Sequence, residues 1–154
     1  MKLDSQVNQH LNTVLKALLT GINQYFLHSR MYGNWGFDAL KTQNYKYSIK
    51  LMKESDVLIK RILFLQGLPN LQALGSLSIG TDVEESLKGN MIFEAELRDE
   101  LIDAIKYCES VADYISRDNL TEILEESEEQ IDWLETQGYL ISNMGSENYL
   151  QSAL

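Results

Sequence analysis

Cysteine, proline and histidine are almost missing from this sequence: 154 residues hold one cysteine, one proline and two histidines. With Cys108 alone, no intrachain disulfide can form, which favours a reducing compartment, most simply the cytoplasm. One proline and nine glycines leave room for long uninterrupted helices. Basic residues are also few. Thirteen Lys and Arg against 23 Asp and Glu give a net charge of −10, which argues against nucleic acid as a partner, because phosphate binding requires a basic surface. The same charge suits a solvated acidic face or a cavity that attracts cations. No apolar run approaches the length of a membrane span, and Met1-Lys2-Leu3-Asp4-Ser5 opens no apolar stretch of a secretory leader.

What is present is helical periodicity. From Ser5 to about Trp35 the apolar residues Val7, Leu11, Val14, Leu18, Ile22 and Tyr25 recur at helical spacing. A second helix is expected from roughly Asp38 to Leu65. Its apolar residues fall on two faces, one with Tyr47, Leu51, Leu58 and Ile62, the other with Tyr45, Ile49, Met52 and Ile59. A helix with two apolar faces packs inside its own bundle and against something else. Pro69 closes that region, and Gln66 to Gly80 shows no clear period. That stretch is long for a connection, as in a bundle with one long crossover.

Thr81-Asp82-Val83-Glu84 has the pattern of a capping box and predicts the start of a third helix, with the stripe Leu87, Met91, Glu94, Leu97, Leu101, Ile105, Cys108. A fourth helix is expected from about Val111 to Met144, capped by Gly145, and Glu147 to Leu154 suits one short extra helix. The expectation is a single all-α domain over residues 1–154: a four-helix bundle with a long crossover between helices two and three.

Several ordered stretches carry a family resemblance. They are Ile22-Asn23-Gln24-Tyr25-Phe26-Leu27-His28, Arg61-Ile62-Leu63-Phe64-Leu65 running into Gly67-Leu68-Pro69-Asn70-Leu71-Gln72, Ile131-Asp132-Trp133-Leu134-Glu135-Thr136, and Asn148-Tyr149-Leu150-Gln151. In these the chain resembles the bacterioferritins, from end to end. The resemblance implies a ferritin-like bundle with a short fifth helix, a hollow shell of twenty-four subunits storing ferric iron mineral, and a haem b at each two-fold interface.

Di-iron chemistry in such a bundle needs a Glu from each of two helices and a Glu-x-x-His pair from each of the other two, because residues three apart share a helical face. The two histidines here, His10 and His28, have Val7 and Tyr25 three positions earlier, so Glu-x-x-His is lacking. By resemblance the six ligand positions are Leu18, Leu51, Glu54, Glu94, Ser127 and Gln130. Leucine binds no metal, Ser127 and Gln130 are poor iron ligands, Glu54 stands where the family has histidine, and only Glu94 matches. The inner-surface positions beside the centre hold Lys46 and Lys50, which repel Fe²⁺. The chain is therefore expected to lack ferroxidase activity of its own. Glu54 and Glu94 sit on core stripes, where a carboxylate must be paired, hydrogen-bonded or protonated. Gln130, Ser127 or water would satisfy them, or the two acids would make one weak cation site.

The resemblance is different on the other face of the second helix. Tyr45, Ile49, Met52, Lys53, Asp56 and Ile59, with Leu19, Ile22, Asn23 and Phe26 from the first helix, all match the family's haem pocket. Met52 matches the axial ligand, supplied twice by an isologous dimer, and its soft thioether favours reduced iron. Lys53 is a candidate partner for a propionate. A methionine on an apolar face is ordinarily core filling, and Met31 and Met91 are read that way. Asn34, Asp132, Glu135, Asn148 and Gln151 match a family channel through the shell, although exposed acids are equally read as a solvated face. Tyr25 and Trp133 match aromatics beside the di-iron site and are read as structural.

A haem-bearing subunit without its own oxidising centre implies co-assembly with a ferroxidase-competent bacterioferritin subunit, and a small redox protein to deliver electrons. Two other readings stay open: a structural shell subunit binding neither haem nor iron, and an enzyme with a metal site rebuilt around Glu54, Glu94 and Glu128.

Overall fold

The computed structural model describes residues 4–154; Met1 to Leu3, the start of the stretch read for a leader, lie outside it. The described residues form α1 (Ser5–Trp35), α2 (Asp38–Phe64), α3 (Val83–Ser110), α4 (Tyr114–Met144) and α5 (Ser146–Ser152). Three of the long helices open on an aspartate that accepts first-turn amides. Asp4 takes those of Gln6 and Val7, Asp82 that of Glu85, and Asp113 that of Ser116. The cap of α3 thus lies one residue beyond the Thr81–Glu84 box read from sequence: Asp82 is the N-cap, and Glu85 reaches back to the amide and hydroxyl of Thr81.

The fourth helix also starts later than Val111. Ala112 takes φ 61°, and the amide of Asp113 returns to the Cys108 carbonyl at 2.9 Å, closing α3 the way a C-terminal glycine usually does. Asp113 then caps α4 and meets Arg61 of α2 at 2.8 Å, while the Arg61 Nε donates to Ser116. This half-buried ion pair fixes the lower end of α2 to the start of α4. Gln66 ends α2 in the same left-handed conformation. Gly36 at φ 88° ends α1, and a two-residue turn makes α1 and α2 antiparallel neighbours. No described helix is long and apolar enough to cross a membrane.

The bundle pairs α1 with α2 and α3 with α4, joined through α1 and α3. Its core has two apolar parts. The larger includes Leu11, Leu15, Leu18, Leu51, Leu58, Leu97 and Leu101. The smaller gathers Tyr32, Leu40, Val83, Leu87, Leu134 and Tyr149 near α5. Both faces expected of α2 exist: Tyr47, Leu51, Leu58 and Ile62 are buried, while Tyr45 and Met52 are exposed. A layer of buried polar side chains, Gln24, His28, Asn44 and Asn90, is hydrogen-bonded together.

That polar layer also anchors the crossover, residues 65–82. Gln24 takes the Ser78 amide at 2.9 Å and gives its own amide to the Gly89 carbonyl; His28 takes the Gly80 amide at 3.1 Å. Here the backbones touch. A Cβ on Gly80 would strike the Ser86 amide, and one on Gly89 would strike the Ser78 carbonyl. Backbone atoms cannot turn aside as a side chain does. Gly80→Ala and Gly89→Ala are therefore each expected to cost about 2–3 kcal/mol or more by overpacking. Ala112→Gly, at a left-handed position, is expected to gain about 1 kcal/mol. Chemical denaturation of the three variants beside the wild type checks both signs.

Candidate functional site

At the centre of the bundle the six positions assigned by resemblance do converge, but on an apolar and hydrogen-bonded interior. Leu18 and Leu51 are fully buried, from α1 and α2. Gly21, one turn from Leu18, has no side chain because the Phe93 ring and Leu51 lie against it. Glu94 of α3 is fully buried. Its Oε1 accepts the hydroxyls of Tyr25, at 3.3 Å, and of Tyr47; its Oε2 accepts the Ser127 hydroxyl at 3.1 Å. The two tyrosine rings pack edge to face at 4.5 Å, and Tyr25 meets Phe93 the same way. Neutral O–H donors from α1, α2 and α4 thus enclose one carboxylate of α3. Among the described residues no three His, Cys, Asp or Glu side chains group as a metal site would need.

Of the groups expected to satisfy the acids, Gln130, Ser127 or water, Ser127 does so for Glu94 and Gln130 does not. Ser127 reaches Glu94, but Gln130 donates to the Tyr25 oxygen at 3.5 Å and accepts from Gln43 at 3.2 Å. The larger part of the work falls to Tyr25 and Tyr47. The sequence marks Tyr25 only as a structural aromatic and Tyr47 only as core; their shared signal is a hydroxyl on the helix face that also carries Leu18 on α1 and Leu51 on α2. Glu54 remains unsatisfied. Both its carboxylate oxygens are buried without a hydrogen-bond partner. Nearby, Lys50 pairs with Glu126, beside a cleft lined by Tyr47, Gln130 and Trp133. Lys46 is exposed, and Glu128 turns outward to Arg98 at 3.1 Å, away from the rebuilt site considered from sequence.

These surroundings set protonation. Burial pushes Glu54 up to about 8, with Glu94 and Glu126 adding repulsion and Lys50 opposing it. Burial raises Glu94 to about 7, against the lowering effect of Tyr47, Ser127 and Tyr25. Burial and then the Glu94 charge push both tyrosines well above their ordinary range, so they stay neutral donors.

The residues matched by resemblance to a haem pocket lie on the outer side of α1 and α2. Met52 is 51% exposed, Phe26 44% and Tyr45 40%. Leu19, Ile22 and Ile59 are half-buried against the core, Ile49 is half-buried, and Asn23, Lys53 and Asp56 are exposed. Asp56 pairs with Lys60 at 2.9 Å. Arg30, not singled out from sequence, lies 4.8 Å from the Phe26 ring centre and 5.3 Å from that of Tyr45, and such contact orients both rings. Met91 packs into the smaller core cluster, unlike Met52. Asn34 on α1, Asp132 and Glu135 on α4, and Asn148 and Gln151 on α5 are all exposed.

Comparison with known proteins agrees with this architecture. The Ferritin family model, described as a ferritin-like domain, matches residues 8–144. A bacterioferritin of Brucella melitensis is 37% identical over 151 residues, covering 98% of this chain and 94% of its own. One of Mycobacterium leprae is 40% identical, covering 97% and 94%. A protein named bacterial ferritin, of Neisseria meningitidis, is 40% identical over the full length of both.

The buried acids fix a pH dependence. Both have folded-state pKa values raised above the ordinary 4.5. The folded state therefore binds more protons, and stability falls as pH rises from about 4.5 through about 8. Glu54→Gln, which keeps the shape and removes the charge, is expected to flatten that decline and raise the melting temperature most above pH 8. Thermal melts of both proteins from pH 5 to 9 check it.

Proposed function

The chain belongs to the ferritin family, among the bacterioferritins, and from that premise we propose that it is an iron-storage shell subunit that carries haem and does not oxidise iron. The observation behind this is the contrast between the faces of α2. Inward, two leucines and a carboxylate capped by three hydroxyls are buried together in the bundle. Outward, a thioether and two aromatic rings stand exposed.

Residues on that outer face fit a haem. A flat apolar macrocycle needs aliphatic and aromatic walls, offered by Leu19, Ile22, Phe26, Tyr45, Ile49 and Ile59. Burying them removes apolar surface from water at about 25 cal/mol per Å². Met52 would hold the haem iron through its thioether, and a second copy of the chain would offer the same group across an isologous contact. Asn23, Lys53 and Asp56 form the polar edge, with Lys53 carrying the charge that suits a propionate. Haem held by two thioethers supplies one-electron transfer at a raised potential. Arg30 holds the Phe26 and Tyr45 rings in place on both copies.

In the core, Tyr25, Tyr47 and Ser127 keep Glu94 in the bundle without a cation, and the paired Lys50 and Glu126 stand beside Glu54. Lys46 and Lys50 disfavour ferrous iron on that side. Oxidising power then comes from a second, ferroxidase-competent bacterioferritin subunit in a mixed shell, with a small redox protein supplying electrons for mineral release. Asn34, Asp132, Glu135, Asn148 and Gln151 are the residues assigned to a channel between subunits.

Haem titration of the purified chain tests the reading. A Soret band saturating at one haem per two chains is expected, and Met52→Leu raises the Kd by at least about tenfold, or 1.4 kcal/mol, while leaving the helical content unchanged. Ferrous iron and oxygen mixed with the same sample give oxidation no faster than the background. Lack of a Soret shift in the wild type, or rapid ferrous oxidation by the homopolymer, overturns the proposal.

A further inference from the structure

One face of α1 holds the crossover through four side chains at intervals of one or two helical turns: Asn12, Thr20, Gln24 and His28. Each accepts one crossover amide. Asn70 donates to Asn12 Oδ1 at 2.8 Å, Gly75 to Thr20 Oγ1 at 2.8 Å, Ser78 to Gln24 Oε1 at 2.9 Å, and Gly80 to His28 Nε2 at 3.1 Å. The first three acceptors keep this capacity at any ordinary pH. Only the fourth can be taken away by a proton. We propose that His28 is an acid-sensitive latch: protonating its ring frees the Gly80 end of the crossover, loosens the neighbouring Ser78 and widens the cleft beneath, while the Asn70 end stays fixed.

The hydrogen bonds fix the tautomer. Nε2 accepts from Gly80, so the ring proton is on Nδ1 and is donated to Asn90 Oδ1 at 2.9 Å. An imidazolium bears N–H on both nitrogens, and the second would face the Gly80 N–H. Turning the ring brings no relief, since both nitrogens of an imidazolium donate and the Gly80 amide would still find no acceptor. The groups facing the ring are uncharged: Asn90 on α3 backed by Asn44 on α2, the Gly80 backbone on the crossover, and Tyr32 on α1 with ring centres 6.2 Å apart. Of the acids at the neighbouring start of α3, Asp82 is engaged by the Glu85 amide and Glu85 by Thr81. No carboxylate is thus in place to hold the charged form, and burial lowers the ring's pKa from the ordinary 6.5.

A latch needs something to uncover. Under Gly75, Ser76 and Ser78 lies a cleft of about 400 Å³ between α1 and α3, reaching Phe93. Phe93 packs against Tyr25, so lifting this end of the crossover exposes the approach to the Glu94 cluster. The sign follows from linkage: a histidine with a depressed folded-state pKa stabilises the closed form above about pH 6.5, and that contribution is lost as pH falls below it. One proton sets a ceiling of about tenfold per pH unit on the change in protection.

Hydrogen exchange of the assembled protein at about pH 7.5 and 5.5, corrected for intrinsic exchange rates, tests this. Protection of the Ser78 and Gly80 amides is expected to fall by up to about tenfold, since only one pH unit of the interval lies below 6.5, with Asn70 unchanged. His28→Gln keeps an acceptor that cannot be protonated, and its protection is expected to be equal at the two pH values. Unchanged protection in the wild type, loss of the same size at Asn70, or the same loss in His28→Gln overturns the latch.

Discussion

A carboxylate buried at the centre of four helices must have its charge answered, and the answer found here governs the interior. Glu94 is fully enclosed, yet three hydroxyls from three different helices point to it. Metal ions would do the same electrostatic task in a bundle with more carboxylates. Here the helices are tied by neutral donors, and Leu18 and Leu51 fill volume that ligands and ions would occupy. A buried acid missing even one donor is costly; Glu54, without any, bears that cost as a raised pKa.

The two faces of α2 are chemically independent because they look into different surroundings. The inward face is closed by α1, α3 and α4, so its residues are constrained by packing. The outward face is closed by nothing within the described residues, and its apolar groups gain only when another surface covers them. One site can therefore lose its chemistry while the other retains the residues for its own. This separation is the physical basis of the proposed subunit, which would carry electrons in a shell whose oxidation takes place elsewhere. The crossover is held from α1 and α3 by a third set of side chains, separate from both sites.

Much of the architecture was legible in the sequence because apolar periodicity is a property of each helix alone. α1 spans the residues read for it, and α2 differs by one residue at its end. The missed boundaries have a common cause. Gln66 and Ala112 take a left-handed conformation that usually signals itself by glycine, so the end of α3 and the start of α4 carried no marker. Asp82 displaced Thr81 as the cap because both residue types suit that position, and the choice rests on the backbone. In the centre, the residues at the six positions assigned by resemblance are plain in the sequence, but the tyrosines around Glu94 are not. Which hydroxyl meets which carboxylate depends on how α1, α2 and α3 are set against one another. The acceptors Asn12, Thr20, Gln24 and His28 were hidden for the same reason: their partners are backbone amides, and any residue offers one.

The central claim is that hydrogen bonds and leucines have replaced a pair of irons. Anomalous diffraction at the iron edge, on crystals of the isolated chain soaked anaerobically in ferrous salt, measures this at the atoms concerned. The expected map has no paired peaks beside Glu94, with Tyr25, Tyr47 and Ser127 still turned to its carboxylate. Two well-occupied irons within the bundle, with those hydroxyls displaced, would contradict it.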